Sequence, residues 1–350
     1  MSVAAGRARW IAPGLVIAIV VGTALTLAVL GFDVARAARA LVGGSFGSWY
    51  AFGSGTLVRA TPLILTGLAV ALAFKAGVFN IGAEGQFLTG AAAASAIALA
   101  GARAPSWALV AGLLVGGGVA GALWAWIAAV LRSRFHVLEV ISTIMLNFVA
   151  AYLVSYLVHG PLQEPTHIYP QTETFAAAAQ LPRFGPTTRL HVGFAIACVA
   201  CIVTWWILRY TAAGFRARVA GANPDAARSA GGIDVRRVTT RVFVLSGALA
   251  GLAGAVEVSG VTYALYENIS PGFGYTAIAV ALLARLDALA VLGTGIVFGA
   301  LEAGATAMQR DAGVPSVVVS VVEASVILVM VAADRARINR GMGRGTGDAA

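Results

Sequence analysis

Long runs of apolar residues, separated by short polar or glycine-rich breaks, dominate this sequence. A helix needs roughly 20 mostly apolar residues to cross a hydrocarbon core about 30 Å thick, because it rises about 1.5 Å per residue. Of the 350 residues, 59% are hydrophobic and only 11% are charged, whereas a soluble chain is about 25% charged. Such a chain lacks the polar side chains to cover a surface in water. The sequence therefore predicts an all-α integral membrane protein.

Ten apolar runs fit the length of a transmembrane helix, and we interpret residues 1–350 as one transmembrane domain. Arg7 and Arg9 precede the first run as they would in a signal peptide, but the run is longer than usual, which favours an uncleaved span. The eighth and ninth runs are separated only by Arg285, Leu286 and Asp287. The predicted spans cover residues 11–31, 57–79, 84–101, 106–131, 139–158, 191–209, 238–259, 273–286, 288–308 and 315–333.

Arginine placement predicts the orientation of these spans. With ten spans, all four arginine clusters fall on the same face, which the positive-inside rule assigns to the cytoplasm. We therefore predict cytoplasmic N- and C-termini. Because the cations lie between spans and at the ends, the net charge of +9 does not indicate nucleic acid binding. The clusters are Arg7 and Arg9; Arg132 and Arg134; Arg209, Arg216, Arg218, Arg228, Arg236, Arg237 and Arg241; and Arg335, Arg337, Arg340 and Arg344.

Two extramembrane segments follow from this topology. Residues 159–190, rich in proline and threonine, form the longest outer loop, which is either a docking surface for an external partner or an ordinary connection. Residues 210–237 form an arginine-rich cytoplasmic loop. Ten spans also divide into two halves of five with opposite starting sides, as in transporters built from inverted repeats. Internal sequence similarity is weak, so the repeat is a topological suggestion.

The stretch FKAGVFNIGAEGQ, residues 74–86, brings polar side chains and glycines between apolar spans. Irregular backbone at membrane depth requires protein or a water-filled cavity to satisfy its amides. A broken helix with polar residues is a common construction for a central substrate site, and an acid such as Glu84 is costly in hydrocarbon. The equally weighted alternative is a cytoplasmic turn, with Lys75 and Glu84 at its edges. The polar members are Lys75, Asn80, Glu84 and Gln86.

A second polar group lies on the fifth span. Glu139, Thr143 and Asn147 recur every four residues and so share one helix face, with Ser142 beside them. A polar stripe on a spanning helix faces either neighbouring helices or a wet pathway. The first interpretation makes these residues contacts between helices, and the second makes them part of the pathway lining.

Three carboxylates in the late spans, Glu257, Glu302 and Glu323, support a rival function. Acids within spans form proton relays in some transporters, so an ion-coupled secondary transporter is an alternative. A passive channel or a membrane scaffold is a further alternative. Nothing in the sequence fixes the distances between the three acids.

The loop before the seventh span contains signals for a short capped helix. Asn223 is a favourable N-cap, Pro224 suits the first helical position, and Gly231 and Gly232 end the helix. A short cationic helix at the cytoplasmic face is a suitable contact for a soluble motor. The alternative is a patch that binds lipid headgroups.

Several chemical functions have no motif in this chain. The only lysine, Lys75, is followed by alanine, so a phosphate-binding loop ending in Gly-Lys-Ser or Gly-Lys-Thr is absent. No catalytic motif and no zinc or calcium motif occurs. Cys198 and Cys201 lie in an apolar run and are interpreted as packed small residues rather than a redox or metal pair. We predict no enzyme activity, no metal and no cofactor in this chain.

Four stretches resemble a known family, the permease subunits of bacterial ABC importers for nucleosides and simple sugars. The phrases FNIGAEGQ and EVISTIMLN are the most specific and favour the nucleoside-type branch. Arg285 and Asp287 depart from the usual pattern at the eighth span, where Gly-Arg and Asn-Pro are commoner. The matching stretches are residues 62–91, 139–150, 221–233 and 273–305.

The resemblance implies a transport subunit in the bacterial cytoplasmic membrane, working by alternating access with ATP hydrolysed on a partner. It implies a cytoplasmic ATPase, a second homologous permease and an external substrate-binding lipoprotein. Whether the solute is a nucleoside, a free base or a sugar stays open. The expected pathway residues are Phe74, Phe79, Asn80, Glu84, Gln86, Glu139, Thr143 and Asn147, with the two aromatic rings stacking on a base or sugar. The expected coupling residues are Gly221, Asn223, Pro224, Asp225, Ala226 and Ala227.

Overall fold

The structure is a computed structural model that describes residues 21–101, 103–315, 317–318, 321 and 324–325, with residue 230 described by its backbone alone. These residues form helices and connections without a β-strand; the only β-type pairings among them are isolated bridges between Gln171 and Tyr266 and between Arg183 and His191. The predicted all-α class is confirmed. Residues 11–20 of the first predicted span and most of the tenth lie outside the described residues.

Helices account for most of the described residues. Residues 21–29 are helical. Then follow α1 (Val34–Phe46), a π-helical turn (Ala51–Leu57), α2 (Val58–Lys75), α3 (Ala83–Ala100), α4 (Ser106–Phe135), α5 (Glu139–His159), a 3-10 turn (Ala177–Ala179), α6 (Val192–Tyr210), α7 (Ala212–Ala222), α8 (Pro224–Gly231), α9 (Val235–Glu257), a second π-helical turn (Val258–Thr262), α10 (Phe273–Leu283) and α11 (Ala288–Ala312).

Six helices in the described part are long and apolar enough to cross a membrane. They correspond to the second, fourth, fifth, sixth, seventh and ninth predicted spans. The eighth prediction becomes α10, whose 11 residues reach only about 16 Å. It ends before Arg285 and Leu286 because both adopt left-handed backbone conformations that stop a helix. The six helices are Ala51–Lys75, Ser106–Phe135, Glu139–His159, Val192–Tyr210, Val235–Thr262 and Ala288–Ala312.

The segment expected to connect the first two spans, residues 32–56, contains a helix that the apolar pattern did not predict. The carboxylate of Asp33 accepts a hydrogen bond of 2.9 Å from the backbone N–H of Arg36 and so caps the N-terminus of α1. This helix was missed because its arginines and glycines interrupt the apolar run.

The chain divides into two compact units, residues 1–52 with 301–350 and residues 53–300. In the first unit, Ala37 of α1 packs in a small apolar core with Ala305 and Met308 of α11. A Cβ at Gly44 would clash with Ala307, so glycine permits the two helices to approach closely. The prediction of one transmembrane domain over 1–350 stays a prediction.

In the second unit, α2 and α9 form the interior. Their spanning segments are 83% and 72% buried, whereas those of α4, α5 and α6 are only 33%, 28% and 28% buried. The exposed side chains of these three helices are large and apolar, such as Leu123, Phe148 and Val199. Exposing so much apolar surface to water would be unfavourable, so these faces indicate contact with lipid.

Glycines bring α9 against α3 and α4. A Cβ at Gly251 would clash with the backbone of Gly117, and one at Gly90 would clash with the backbone of Gly251. Small residues at helix contacts let backbones approach in membranes, where packing replaces the hydrophobic effect as the driving force. This close packing fixes α9 beside the start of α3, where the candidate site lies.

Candidate substrate pathway and coupling helix

The break between α2 and α3 lies inside the second unit. α2 ends at Lys75, and Gly77 adopts a left-handed conformation with φ of 75°. A Cβ at Gly77 would lie 3.1 Å from the Cα of Gly221, so the break begins beside the segment that leads into α8. We call this the α8 end of the unit.

Asn80 forms the centre of the break. Its Nδ2 donates to Gln86 Oε1 at 2.9 Å, and Gln86 Nε2 donates back to Asn80 Oδ1 at 3.0 Å. The backbone N–H of Gly82 also donates to Asn80 Oδ1. The two amides therefore form a reciprocal pair that satisfies most of their donors and acceptors within the protein.

Ser246 connects this amide pair to the two interior helices. Asn80 Nδ2 donates to Ser246 Oγ at 2.7 Å, and Ser246 Oγ donates to the carbonyl of Ala69 at 2.7 Å. Ser246 lies near the middle of α9, and Ala69 lies beyond the middle of α2. The chain has therefore returned from the α8 end to the middle of the unit, and α3 begins there. We call Asn80, Gln86, Ser246 and Asn147 the central polar network.

Asn147 of α5 completes this network at the N-terminus of α3. Its Oδ1 accepts from the backbone N–H of Gly85 at 2.8 Å, and its Nδ2 donates to the carbonyl of Ile81 at 2.9 Å. The first amides of a helix have no partner within it. Asn147 supplies partners to the broken backbone from a neighbouring helix, as backbone at membrane depth requires.

Glu84 joins the beginnings of two helices. It stands in the first turn of α3, and its Oε2 accepts from the backbone N–H of Gly274, in the first turn of α10, at 2.7 Å. A side-chain hydrogen bond also links it to Ser270. The first N–H groups of a helix have no partner within it, so Glu84 supplies a hydrogen-bond acceptor where two such ends meet.

Five of the eight predicted pathway residues lie together around the helix break, and all five are buried. The exposed fractions are 0% for Asn80, 7% for Glu84, 1% for Gln86 and 2% for Asn147. Thr143, also buried, packs its Cβ 3.0 Å from where a Cβ of Gly82 would lie. In this conformation the amides and the acid hold the helix break in place and are closed off from the surroundings.

The coupling segment folds as its sequence predicts. Asn223 Oδ1 accepts from the backbone N–H groups of Asp225 and Ala226, and Pro224 begins α8. Gly232, with φ of 57°, ends the helix by donating to the carbonyls of residues 227 and 228. Ala227 is fully buried against Ala220 and Val235, whereas Ala226 is exposed. The helix therefore has one anchored face and one free face.

Comparison with known proteins identifies the family. Residues 52–332 match the family of permease components of branched-chain amino acid transport systems. The chain belongs to this family. It is 40% identical to the glucose ABC transporter permease of Haloferax volcanii over 79% of this chain and 75% of that protein. It is 38% identical to the guanosine ABC transporter permease of Bacillus subtilis over 89% of this chain and 90% of that protein.

A third relative is the nucleoside ABC transporter permease of Lactococcus lactis, which is 33% identical over 78% of this chain and 77% of that protein. No solved structure matches the permease. The predicted resemblance to nucleoside- and sugar-type permeases is thus confirmed, and with it the prediction of a multi-pass membrane transport subunit.

Three of the predicted pathway residues lie apart from the central polar network of the permease. Phe79 is 54% exposed and meets Phe74 edge to face, with ring centroids 5.1 Å apart. Glu139 pairs instead with Arg132 of α4 at 3.2 Å. The aromatic pair therefore borders accessible space, while Glu139 ties the ends of two helices.

Several residues that organise the site were not predicted from the sequence. Ser246 and Ser270 are single hydroxyls in apolar or loop segments, and no spacing rule links them to residues 80–86. Tyr275 was also missed, although its hydroxyl accepts a long hydrogen bond of 3.4 Å from Asn147 Nδ2. Gly274 and Tyr275 lie within the stretch that carries the family resemblance, and that was the one available signal.

The long loop at residues 159–190 is ordered against the segment after α9. The backbone N–H groups of Thr172, Phe175 and Leu181 donate to the carbonyls of Leu265, Tyr263 and Ser259. Within the loop, the carboxylate of Glu164 accepts hydrogen bonds from the Thr166 hydroxyl and from the backbone N–H of Tyr169. These bonds lower the pKa of Glu164, and the bond from Thr166 has the larger effect. The loop thus presents a defined surface at the end of the unit opposite α8.

Proposed function

We propose that this permease forms half of the translocation pathway of an ATP-driven importer and takes up nucleosides by alternating access. The observation that carries the proposal is the helix break at residues 76–82, held halfway along α9 by the central polar network. Broken helices at the middle of the membrane are the usual construction of transporter substrate sites. Opening this region would expose Asn80, Glu84, Gln86, Thr143 and Asn147 to the solute, with Phe74 and Phe79 stacking on it.

The proposed topology has ten spans with both termini in the cytoplasm. The α8 end then faces the cytoplasm, where Arg132, Arg134 and the arginines of residues 209–241 agree with the positive-inside rule. Residues 159–190 face outward in this orientation. The proposal includes the bacterial cytoplasmic membrane as the location and an inverted repeat of five spans.

We assign α8, with Gly221 before it, to contact with a cytoplasmic ATPase. The helix is capped at both ends, its inner face is packed, and its outer face is free, so it can transmit a push to α7 and α9. ATP is hydrolysed on that partner, and this chain needs no cofactor of its own. A second permease chain completes the pathway, and a substrate-binding lipoprotein delivers the solute at the outer loop.

Nucleosides are favoured over sugars by the extent of the match. The guanosine permease aligns over nine tenths of both chains. The alternative is a simple sugar, because the glucose permease has the higher identity over a shorter alignment. The exposed ring of Phe79 and the half-buried ring of Phe74 near the break favour a flat base, although aromatic rings also stack on sugar faces.

Competition between labelled solutes tests the substrate class. In membrane vesicles carrying the permease assembly with its ATPase and binding protein, we expect saturable guanosine uptake that excess adenosine or uridine reduces and excess glucose does not. Inhibition by glucose with no effect of nucleosides would assign the permease to sugars instead.

The rival ion-coupled mechanism depends on Glu257, Glu302 and Glu323. Glu257 lies at the end of α9 opposite α8 and is 7% exposed. Glu302 belongs to the other unit, and Glu323 lies outside the described residues.

A further inference from the structure

A basic cavity of about 200 Å³ lies at the α8 end, between α4, α8 and α9. Arg132, His136, Arg228 and Arg236 line it together with Phe243. One water molecule requires only about 10–15 Å³ of such space, so the cavity is large enough for a polyatomic group. No carboxylate is among the described residues that line it.

Several hydrogen-bond donors of the arginines that line the cavity have no partner among the described residues. Arg132 pairs with Glu139 through Nε, and Arg228 pairs with Asp225 through one terminal nitrogen, which leaves further donors on both guanidinium groups. The guanidinium group of Arg236 makes no hydrogen bond or ion pair with any residue that the structure describes. The same holds for the hydroxyl of Thr240. The remaining acid nearby, Asp234, is engaged by Arg237 at 2.9 Å.

Exposed apolar side chains flank His136, one of the residues that line this cavity. Phe135 and Leu138, directly before and shortly after His136, are 69% and 65% exposed, and Ile141 on the first turn of α5 is 54% exposed. These side chains face the surroundings as the lipid-facing residues of α5 do. A ligand that suits both features has an anionic head and an apolar body.

We propose that this cavity binds the phosphate group of an anionic phospholipid, with the acyl chains against Phe135, Leu138 and Ile141. Guanidinium groups bind phosphate oxygens through pairs of hydrogen bonds, and Thr240 supplies a further donor. Basic pockets between helices at the cytoplasmic face of membrane proteins bind lipid headgroups in this way. The site is separate from the central polar network and does not depend on which solute the permease carries.

Native mass spectrometry of the intact permease assembly tests this site. We expect phosphatidylglycerol to bind more tightly than phosphatidylcholine. Arg236→Gln should weaken the binding of phosphatidylglycerol about fivefold, which corresponds to the contribution of one basic residue near a lipid surface. Thr240→Val, which changes no charge, should weaken it about threefold, as the loss of one hydrogen bond predicts. Inorganic phosphate at millimolar concentration is the second probe. If it stabilises the wild type against thermal unfolding but does not stabilise Arg236→Gln, the same cavity binds phosphate from a soluble source.

Arg218→Gln is the matched control, because Arg218 is exposed on α7, carries the same charge and does not line the cavity. It should leave the preference for phosphatidylglycerol unchanged. The proposal is overturned by equal lipid binding in the wild type, Arg236→Gln and Thr240→Val. It is also overturned if Arg218→Gln weakens binding as much as Arg236→Gln, since general surface charge would then explain the preference.

Discussion

Replacing Asn80 or Asn147 with alanine is expected to reduce nucleoside uptake at least tenfold while leaving assembly with the ATPase within twofold of wild type. Asn80→Ala removes both partners of Gln86 and the acceptor for Gly82 N–H, and Asn147→Ala removes the acceptor for Gly85 N–H. A buried polar group without a partner costs about 1–3 kcal/mol. The helix break would therefore lose its defined geometry, and the solute would lose its contacts.

Ser95→Ala is the matched control for these variants. Ser95 is equally buried on α3, but its hydroxyl donates only to the carbonyl of Ala91 within the same helix. Uptake by this variant should stay near wild type. Thermal unfolding of each purified assembly separates a loss of transport from a loss of fold. Uptake within twofold of wild type in both asparagine variants would remove the central polar network from the pathway.

Ala226→Glu is expected to separate ATP hydrolysis from transport. Ala226 is exposed on α8, so an acidic side chain there changes the free face of the helix without disturbing its caps or the packing of Ala227. Uptake should fall at least tenfold, and the loaded binding protein should no longer stimulate ATP hydrolysis. Both quantities are measured on the reconstituted complex.

Two further variants show whether the effect of Ala226→Glu is specific to the free face of α8. Ala213→Glu places the same charge at an exposed position on α7 and should have little effect. Asn223→Ala removes the N-cap, which is worth about 1 kcal/mol of helix stability, and should weaken coupling less than Ala226→Glu does. Normal coupling in Ala226→Glu would exclude α8 as the contact with the ATPase.

Local patterns predicted much of this fold. Apolar runs located α4, α5 and α6 to within a few residues, because their length and composition are set by the membrane. The caps of α8 were also readable, since Asn223, Pro224 and Gly232 act within one short segment. α1 was missed because its composition is mixed, and α10 is shorter than its apolar run because Arg285 and Leu286 are left-handed.

The site was predictable in its members and not in its connections. Asn80, Glu84 and Gln86 were singled out because polar residues and glycines interrupt an apolar run. Their partners Ser246 and Gly274 come from distant parts of the chain, and long-range contacts leave no periodic signal. The sequence also could not show that Asn80 and Gln86 hydrogen-bond to each other. Because of this pairing, the two side chains that were expected to contact the solute hold the helix break in place in this conformation.

The central claim, an ATP-driven permease, is tested most directly by nucleoside uptake into liposomes that contain the complete assembly. ATP is supplied on the side of the ATPase, and the loaded binding protein is supplied on the other. We predict accumulation that requires both ATP and the binding protein and that persists when an ionophore removes proton and sodium gradients. Uptake that follows an imposed ion gradient without ATP, and that stops with the ionophore, would contradict this account and favour the ion-coupled mechanism.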